Sequence, residues 1–387
     1  MQRMDDTLRA LEAADQLRSL RVVPGSGGAF FEAGRRVLNF ASNDYLGLAR
    51  HPRLVEAGMA ALRQWGCGAT ASRLICGHLA CHAELEADLA DWMRTEAALV
   101  FGSGYLTNLG LLSSLAGRRG RVFADRLNHA SLVDGLRITG TKVQRYRHAD
   151  WEDLARRLEC AGGADLIVTD AVFSMDGDCA PLRAIEGLAR RHGAGLIVDE
   201  AHALGVLGPT GCGQCEALGL PPEAALRVGT LSKALGGYGG FVACDGRTRD
   251  YLVNHARSLI YSTGLSPVCV AAAREAIALI REAAGAMGVE LMRRAHWFAK
   301  ALRANGCPAG EPSSPIIPVV LGSNRRAVMV SKGLERHGIW APPIRPPTVP
   351  VGTARLRLSI TLDHSESDLE RAAEVIGRVL KRDVEGI

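Results

Sequence analysis

The stretch Leu196-Ile197-Val198-Asp199-Glu200-Ala201-His202 decides the fold of this chain, because an apolar run passes there directly into polar side chains. Short apolar runs of this kind alternate with helical patterns from about residue 80 to residue 245. The predicted strands lie at 97–101, 121–124, 166–169, 195–198, 226–231 and 240–244, and the predicted helices at 82–93, 105–116, 130–137, 151–160 and 182–192. Such alternation is typical of an α/β fold with a mainly parallel central sheet and helices on both faces.

The flanks of the chain have different patterns. Apolar residues at helical spacing predict an N-terminal arm helix over 5–20, followed by a short strand near 37–40. Residues 265–305 predict one long, alanine-rich helix, and strands and a helix beyond it predict a small α+β region. We therefore expect three parts, which are an arm helix and short strand at 1–45, a large α/β domain at 46–280 and a small α+β domain at 281–387.

Composition excludes several classes of protein. The 387 residues are 47% apolar and carry a formal net charge of +5. No run reaches the roughly 18 apolar residues that a bilayer span needs, and no basic stretch interleaved with aromatic residues indicates nucleic-acid binding. The N-terminus also lacks the apolar core of a signal peptide. We expect a cytoplasmic protein with neither a membrane nor a nucleic acid as partner.

The cysteines do not indicate a metal or redox centre. Ten cysteines without regular spacing are expected to be reduced thiols. Cys212 and Cys215 form one close pair, but no second pair of cysteines or histidines at metal-ligand spacing accompanies them. We therefore expect no metal site.

Lys233 is one of only five lysines in the chain and lies in a turn of glycines and hydroxyl residues at 229–237. Taken alone, a lysine in such a turn is an ordinary surface residue. Asp199 and His202 follow a neighbouring predicted strand, and ligands of open α/β sheets bind at the carboxyl ends of the strands. An amine beside a carboxylate and an imidazole suits Schiff-base chemistry on pyridoxal phosphate (PLP). Asp199 would then accept a hydrogen bond from the protonated pyridine nitrogen.

Two further segments follow predicted strands. Residues 102–108 place small side chains at the start of a helix, where backbone N–H groups can approach a phosphate, although a plain tight turn is the alternative.

The residues at 199–202, Asp-Glu-Ala-His, also resemble a helicase box. That class requires a P-loop, and the chain contains no Gly-Lys dipeptide, so the helicase class is excluded.

Other candidate residues lie at strand ends or on the C-terminal strand. His129 and Ser174 follow predicted strands, and His129 is expected either to stack on a cofactor ring or to be an ordinary loop residue. Arg355 and Arg357 share one face of a predicted strand, because alternate side chains point the same way. They either form a solvated stripe or supply a guanidinium that holds a substrate carboxylate.

Together these segments resemble the α-oxoamine synthase family of fold-type I PLP enzymes. The resemblance runs over nearly the whole chain. It rests on residues 42–48, 66–77, 102–108, 125–132, 173–178, 199–202, 230–237, 261–263 and 345–358. It implies a homodimer whose active sites form at the subunit interface.

The resemblance assigns roles residue by residue. The catalytic residues are Lys233, which holds the cofactor and later acts as the base at the α-carbon, and His129, which stacks on the ring. The cofactor-binding residues are Gly104, Tyr105, His129, Ser174, Asp199, His202, Thr230, Lys233 and Thr263, and Ser262 is the alternative to Thr263 for the neighbouring subunit's phosphate. The substrate-binding residues are Arg18, Asn43, Thr348 and Arg357, with Arg355 as the competitor for the carboxylate.

The resemblance also implies the reaction, a decarboxylative condensation of an amino acid with an acyl thioester. The loop at 344–350 is most similar to the branch that joins L-alanine to a pimeloyl thioester, carried by coenzyme A or an acyl carrier protein, in biotin biosynthesis. Residues 69–73 depart from some members of that branch, which carry Gly-Ser runs there. The alternatives are the branch that uses glycine and acetyl-CoA and an aminotransferase or aldolase on the same fold.

Overall fold

The computed structural model describes residues 2–385, which divide into two compact units. The large unit contains residues 48–174 and 178–289. The small unit contains the residues up to 47, residues 175–177 and the residues from 290 onward. The small unit therefore combines segments that are distant in sequence, whereas the large unit is interrupted only by residues 175–177.

The strands and helices are numbered in chain order. The strands are β1 (Ala29–Glu32), β2 (Arg35–Asn39), β3 (Ala97–Phe101), β4 (Val122–Asp125), β5 (Val143–Tyr146), β6 (Leu166–Asp170), β7 (Gly195–Asp199), β8 (Leu226–Thr230), β9 (Gly240–Cys244), β10 (Ile316–Gly322), β11 (Ile339–Trp340), β12 (Pro343–Ile344) and β13 (Ala354–Ser359). The helices are α1 (Gln2–Ala13), α2 (Pro52–Trp65), α3 (Ala80–Met93), α4 (Gly104–Leu115), α5 (Ala130–Thr139), α6 (Trp151–Ala161), α7 (Leu182–His192), α8 (Gln214–Ala217), α9 (Gly246–His255), α10 (Arg257–Ile260), α11 (Pro267–Glu282), α12 (Ala286–Ala304), α13 (Asn324–Arg336) and α14 (Glu366–Glu385). Short 3₁₀ turns lie at Leu48–Arg50 and Pro222–Ala224.

The large unit is built on a seven-stranded sheet with the order β3-β9-β8-β7-β6-β4-β5. Neighbouring strands from β8 through β5 are parallel, and β9 runs antiparallel between β3 and β8. The register pairs Asp170 at the end of β6 with Asp199 at the end of β7. The predicted mainly parallel sheet is confirmed, and its carboxyl edge carries the polar residues.

Helices cover both faces of this sheet. Adjacent residues of one strand point to opposite faces, and Ile167 and Val168 belong to two different apolar clusters. The Ile167 cluster includes residues of α6 and α7, whereas the Val168 cluster includes residues of α4, α5 and α9. The predicted α/β arrangement with two helical layers is therefore confirmed.

The small unit contains two three-stranded sheets. In the first, β2 pairs antiparallel with β1 and parallel with β11. In the second, β13 pairs antiparallel with both β10 and β12. Helix α13 packs against α14 and against the second sheet. The small unit is thus an α+β arrangement in which N-terminal strands and C-terminal elements share one unit.

The N-terminal helix is shorter than predicted. It ends at Ala13, so the prediction that the helix continues through residues 14–20 is wrong. Asp15 adopts a left-handed φ of 51°. Arg345 donates hydrogen bonds to the carbonyl oxygens of Asp15 and Leu17, which a continuing helix would use for its own bonds.

The long helix predicted over residues 265–305 is two helices. The chain breaks between α11 and α12, where Ala284 and Gly285 have φ values of 45° and 80°. A Cβ at Gly285 would lie 2.5 Å from the carbonyl oxygen of Pro209. The alanine-rich pattern concealed this break, because the close backbone approach that requires glycine cannot be read from helical periodicity.

Across residues 2–385, no helix combines the length and the apolar character that a membrane crossing requires.

Candidate active site

Lys233 lies in a tight loop that follows β8. Leu231 N donates to Gly239 O at 3.0 Å, and Gly236 N donates to Lys233 O at 2.8 Å, so the backbone closes on itself around the lysine. Gly236 has a φ of 67°, and a Cβ there would lie 2.4 Å from the backbone nitrogen of Ala49. Only glycine fits this turn, and the turn fixes the position from which the amine extends.

The amine of Lys233 meets a histidine from the neighbouring strand. Lys233 Nζ lies 2.9 Å from His202 Nε2. Strands β7 and β8 are parallel neighbours, and His202 and Lys233 each lie three residues beyond the last residue of their strand, Asp199 and Thr230. The segments that follow both strands leave the same edge of the sheet, which allows the two side chains to meet.

Asp199 is buried at the end of β7 with 5% of its surface exposed. Its Oδ2 accepts a hydrogen bond from Asn108 Nδ2 at 2.6 Å, and its Oδ1 accepts one from Ala201 N at 2.9 Å. Asn108 Nδ2 also donates to Ser131 Oγ at 2.9 Å, and His129 Nδ1 lies 2.7 Å from the same hydroxyl. One hydrogen-bond network therefore joins two predicted cofactor residues, Asp199 and His129.

Asn108 and Ser131 were missed by the residue-by-residue prediction. A signal for Asn108 was present, because it lies four residues after Gly104 and so shares a face of α4 with it. Ser131 lies two residues after His129, whose side chain also accepts a hydrogen bond from Ser131 N at 3.3 Å. Both residues belong to segments that carry the family resemblance.

Asp170 was also missed, although the sheet register places it beside Asp199. Its Oδ2 accepts a hydrogen bond from His129 N at 2.8 Å. Burial raises the pKa of Asp170 well above its ordinary value, and the negative charge of Asp199 raises it further. The pKa of His129 is lowered, mainly because the surrounding protein displaces water; the charge of Lys233 adds to this shift and that of Asp199 opposes it. A neutral imidazole suits stacking on an aromatic ring.

The start of α4 lies next to the end of β8. Ser103 caps the helix by accepting a hydrogen bond from Leu106 N at 3.1 Å. The first N–H groups of a helix have no acceptor within it, and together with the helix dipole they favour a phosphate. A Cβ at Gly104 would lie 3.3 Å from Thr230 Cβ, so glycine keeps the space between this helix end and Thr230 open.

The remaining predicted cofactor residues lie in the large unit, and their roles stay predictions. Tyr105 is 43% exposed, and its hydroxyl donates to Asp134 Oδ2 at 2.6 Å, which raises the pKa of the tyrosine. Ser174 lies in the loop that follows β6. Thr263 is exposed and forms a β-bridge with Ser72.

The side chains of the large unit fit PLP. The amine of Lys233 beside His202 suits an aldehyde with a neighbouring phenolic oxygen, and the buried carboxylate of Asp199 suits a protonated ring nitrogen. The capped start of α4 suits the phosphate. Asn108 Oδ1 is buried and lacks a hydrogen-bond partner within residues 2–385, which leaves a polar position beside Asp199 for another group. The same residues include no cluster of histidine, cysteine and carboxylate side chains that could hold a metal ion.

The predicted substrate residues belong to the small unit. Arg18 Nη2 donates to Thr348 Oγ1 at 3.0 Å, so two of these residues are in direct contact. Thr348 N also donates to Arg345 O at 3.1 Å. The lowered pKa of Arg345 follows from burial and from the nearby charge of Arg18. Two guanidinium groups close together form a region of positive charge that suits an anion.

The structure distinguishes Arg355 from Arg357. Both are buried, so the prediction of a solvated stripe is wrong. Arg355 forms an ion pair with Asp176. The Arg357 guanidinium instead donates to neutral oxygens, namely Asn43 Oδ1 at 2.9 Å, Ser359 Oγ at 2.9 Å and the Tyr45 hydroxyl at 3.0 Å. Asn43 and Arg357, which were both predicted to bind substrate, are thus in contact.

Comparison with known proteins gives consistent matches over the full length. The aminotransferase class I and II family matches residues 35–376. The chain is 46% identical over 378 residues to a putative 8-amino-7-oxononanoate synthase of Geobacillus kaustophilus, with 97% of each chain covered. It is also 46% identical to the 8-amino-7-oxononanoate synthase of Geobacter sulfurreducens, again with 97% of each chain covered.

Solved structures share the fold. Serine palmitoyltransferase of Sphingomonas wittichii superposes with a TM-score of 0.93 at 31% identity, covering 99% of this chain and 98% of the other. A serine palmitoyltransferase variant of S. paucimobilis with a bound PLP–myriocin adduct gives a TM-score of 0.92 at 30% identity, covering 99% and 98%. The 8-amino-7-oxononanoate synthase of Francisella tularensis gives 0.78 at 26% identity, covering 90% and 99%.

Proposed function

Because this chain belongs to the aminotransferase class I and II family, and within it to the α-oxoamine synthases, we propose that it condenses L-alanine with a pimeloyl thioester. The products are 8-amino-7-oxononanoate, carbon dioxide and the free carrier thiol, and the reaction is an acyl transfer in biotin biosynthesis. The observation that carries the proposal is the contact of Lys233 with His202 beside the Asp199 network, in a chain 46% identical to relatives named for this reaction. Identity to the serine palmitoyltransferases is lower, at 30–31%.

PLP is the cofactor, and when bound it supplies an aldehyde that condenses with amines and a ring that accepts the electron pair of a broken bond at the α-carbon. Lys233 would hold it through its amine, and Asp199 would accept a hydrogen bond from the ring nitrogen. His202 would serve the phenolic oxygen, and His129 would stack on the ring. The start of α4 at Gly104, together with Tyr105, Thr230, Ser174 and Thr263, completes the predicted set.

Lys233 moves the proton that the reaction requires. Its amine is within hydrogen-bond distance of His202 Nε2, so the amine is directed toward the site from a fixed turn. The same amine would act as the base for the proton at the α-carbon of alanine. A base that begins in the correct position needs no further reorganisation, which lowers the barrier to proton transfer.

Asp199 is held in a fixed orientation because both of its oxygens accept hydrogen bonds. Asn108 and the backbone N–H of Ala201 are the donors. Asp170 beside it has a raised pKa, so the neighbouring carboxyl is protonated more readily and the two groups need not both be charged. Asp199 is therefore the carboxylate that we propose for the ring nitrogen.

Arg357 is the residue that we propose for the alanine carboxylate. The Arg355 guanidinium is engaged by the carboxylate of Asp176, which competes with any second carboxylate. Arg357 donates to Asn43, Tyr45 and Ser359, and these hydrogen bonds orient its guanidinium. Arg18 and Thr348 are proposed for the acyl substrate.

We also propose that the protein is a cytoplasmic homodimer, with Thr263 reaching the cofactor phosphate of the partner. The ten cysteines are all free thiols, which suits a reducing compartment. Thr263 is exposed on the large unit and is therefore accessible to a second copy. Light scattering of the PLP-loaded protein measures the assembly, and a monomer would contradict the dimer.

Product analysis tests the proposed reaction. Purified protein loaded with PLP is incubated with L-alanine and pimeloyl-CoA or a pimeloyl carrier protein, and in parallel with glycine and acetyl-CoA and with L-serine and palmitoyl-CoA. We expect 8-amino-7-oxononanoate and release of carbon dioxide from the alanine reactions. Product only from one of the other pairs would move the chain to another branch of the family, and pyruvate from alanine without a thioester would indicate an aminotransferase.

A further inference from the structure

His148 lies where the ends of β4, β5 and β6 meet, and the roles assigned above do not include it. Its Nδ1 lies 3.1 Å from Asp125 Oδ1, and its Nε2 lies 2.9 Å from Asp178 Oδ2. The ring packs edge-on against Phe173, with ring centroids 4.3 Å apart and an interplanar angle of 90°. The side chain is only 18% exposed, so these three contacts surround most of the imidazole.

The two carboxylate contacts indicate that the imidazole of His148 is protonated and positively charged. Carboxylates can only accept hydrogen bonds, so both ring nitrogens must carry a hydrogen for both contacts to be hydrogen bonds. Burial by itself lowers the pKa of His148, but the bonds to Asp125 and Asp178 outweigh burial and raise the pKa to about 10. At neutral pH the imidazolium is thus a fixed charge rather than a group that exchanges its proton.

Asp125 connects His148 to the loop that carries His129. The Asp125 side chain is buried, and its Oδ1 also accepts a hydrogen bond from Leu127 N at 2.8 Å. Its Oδ2 accepts one from Ala149 N at 2.8 Å. One carboxylate therefore fixes the beginning of the His129 loop and the segment that contains His148.

Asp178 connects His148 to the loop that carries Ser174. Phe173 N donates to Asp178 O at 2.9 Å, and Val172 forms a β-bridge with Cys179, so the two sides of this loop are paired below Ser174. Asp178 Oδ1 is buried without a hydrogen-bond partner in the described part of the chain. The carboxylate consequently depends on its other oxygen, which His148 contacts.

We propose that His148 is a positioning residue of the PLP site, a charged link that holds the Ser174 loop against the His129 loop. This inference deepens the proposed function and rests on the cofactor roles given there to Ser174 and His129. Without the imidazolium, Asp125 and Asp178 would remain as two carboxylates with no positive charge between them, and their repulsion would separate the loops. His148 itself acts only through these loops and does not touch the cofactor.

The test is a double-mutant cycle on cofactor affinity. The variants H148Q, D178N and H148Q/D178N are prepared without cofactor, and the dissociation constant for PLP is measured by titration of the apoprotein. We expect each single change to weaken PLP binding about tenfold, the scale of one hydrogen bond to a charged group. The double variant should bind PLP no more weakly than either single variant, because all three lack the same link.

H337Q is the matched control, since it makes the same substitution at an exposed histidine and should leave PLP affinity unchanged. Circular dichroism and thermal unfolding are recorded for every variant. PLP affinity of H148Q within twofold of the wild type would overturn the proposal, and so would additive losses in the double variant. If H148Q does not fold, D178N decides the question by the same twofold criterion.

The proposed reaction is tested separately by product formation in the wild type. A wild-type protein that binds PLP but makes no 8-amino-7-oxononanoate would contradict the proposed substrates. The PLP titrations would still determine whether His148 links the loops. In addition, kcat should fall in H148Q while KM for alanine stays within about twofold, because alanine is assigned to Arg357. A change in KM alone would contradict a role in cofactor positioning.

Discussion

The Lys233 site of the large unit and the arginine pair of the small unit place charged side chains by different means. In the large unit, Lys233 and Asp199 lie at or just beyond the ends of neighbouring parallel strands, and sheet order brings them together. Arg355 and Arg357 stand on one strand, both buried, and differ only in their partners. Topology therefore fixes where a residue lies in the first case, whereas the neighbouring side chain determines what it can do in the second.

The largest expected effect is that of Lys233→Ala. Loss of the amine removes both the covalent attachment point and the base, and a positioned base alone contributes about 10²- to 10⁴-fold to rate. We expect kcat for 8-amino-7-oxononanoate formation to fall at least about 10³-fold. The measurement is product formation, with K300A on α12 as the control lysine. Activity of K233A near that of K300A would contradict the assigned site.

A smaller but still large effect is expected for Asp199→Asn. Asparagine keeps the shape of the side chain but removes the carboxylate that we propose for the ring nitrogen, and a hydrogen bond to a charged group contributes about 1.5–3 kcal/mol. We expect kcat/KM to fall about 10²-fold and the PLP dissociation constant to rise. Steady-state kinetics and PLP titration measure the two. An unchanged kcat would contradict the role proposed for Asp199 and show that its position at a strand end is not evidence for that role.

Substitution of the two arginines tests the other half of the comparison. R357Q should raise KM for alanine about 10- to 100-fold, because a bidentate charge-assisted contact is lost. R355Q should instead destabilise the protein by about 1–3 kcal/mol, because Asp176 loses its partner, and leave KM nearly unchanged. Kinetics and denaturant unfolding of both variants are compared. If instead R355Q raised KM for alanine and R357Q only destabilised the protein, the alanine carboxylate would be assigned to Arg355.

The smallest expected effect is that of Asn108→Ala in the Asp199 network. The carboxylate keeps its bond to Ala201 N but loses the one from Asn108, so we expect about a tenfold fall in kcat/KM, less than for D199N. N254A on the exposed surface of α9 is the matched control. A loss in N108A as large as that in D199N would mean that the network, rather than strand position, determines the activity of Asp199.

The sequence predicts well which polar residues follow the strands, because an apolar run and the polar residues after it are adjacent in the chain. Lys233, Asp199, His202 and His129 all lie at or shortly after the ends of strands, as their sequence context predicts. The partners of these residues could not be predicted in the same way. Asn108 and Asp170 join the site through contacts between elements distant in sequence, and only the sheet register reveals that Asp170 stands beside Asp199.

The errors have a common physical cause. The arm helix ends at Ala13, and shortly after it Arg345, more than 300 residues away in sequence, donates a hydrogen bond to the carbonyl oxygen of Asp15. The helix predicted over 265–305 breaks at Gly285, where the backbone of Pro209 approaches closely. In both places a tertiary contact overrides a local periodicity. The roles of the substrate residues remain predictions for the related reason that they depend on side-chain partners.

Burial of Asp170, together with the nearby charge of Asp199, makes the folded apoprotein a proton acceptor. The pKa of Asp170 is raised on folding, so the folded chain binds more protons than the unfolded chain at pH values above the ordinary range of a carboxyl group. Stability of the apoprotein therefore decreases as pH rises through that region. If the ring nitrogen of PLP binds Asp199 as proposed, its positive charge would offset that of Asp199 and link cofactor binding to proton binding. The protein with PLP should then lose less stability over this pH range than the protein without it.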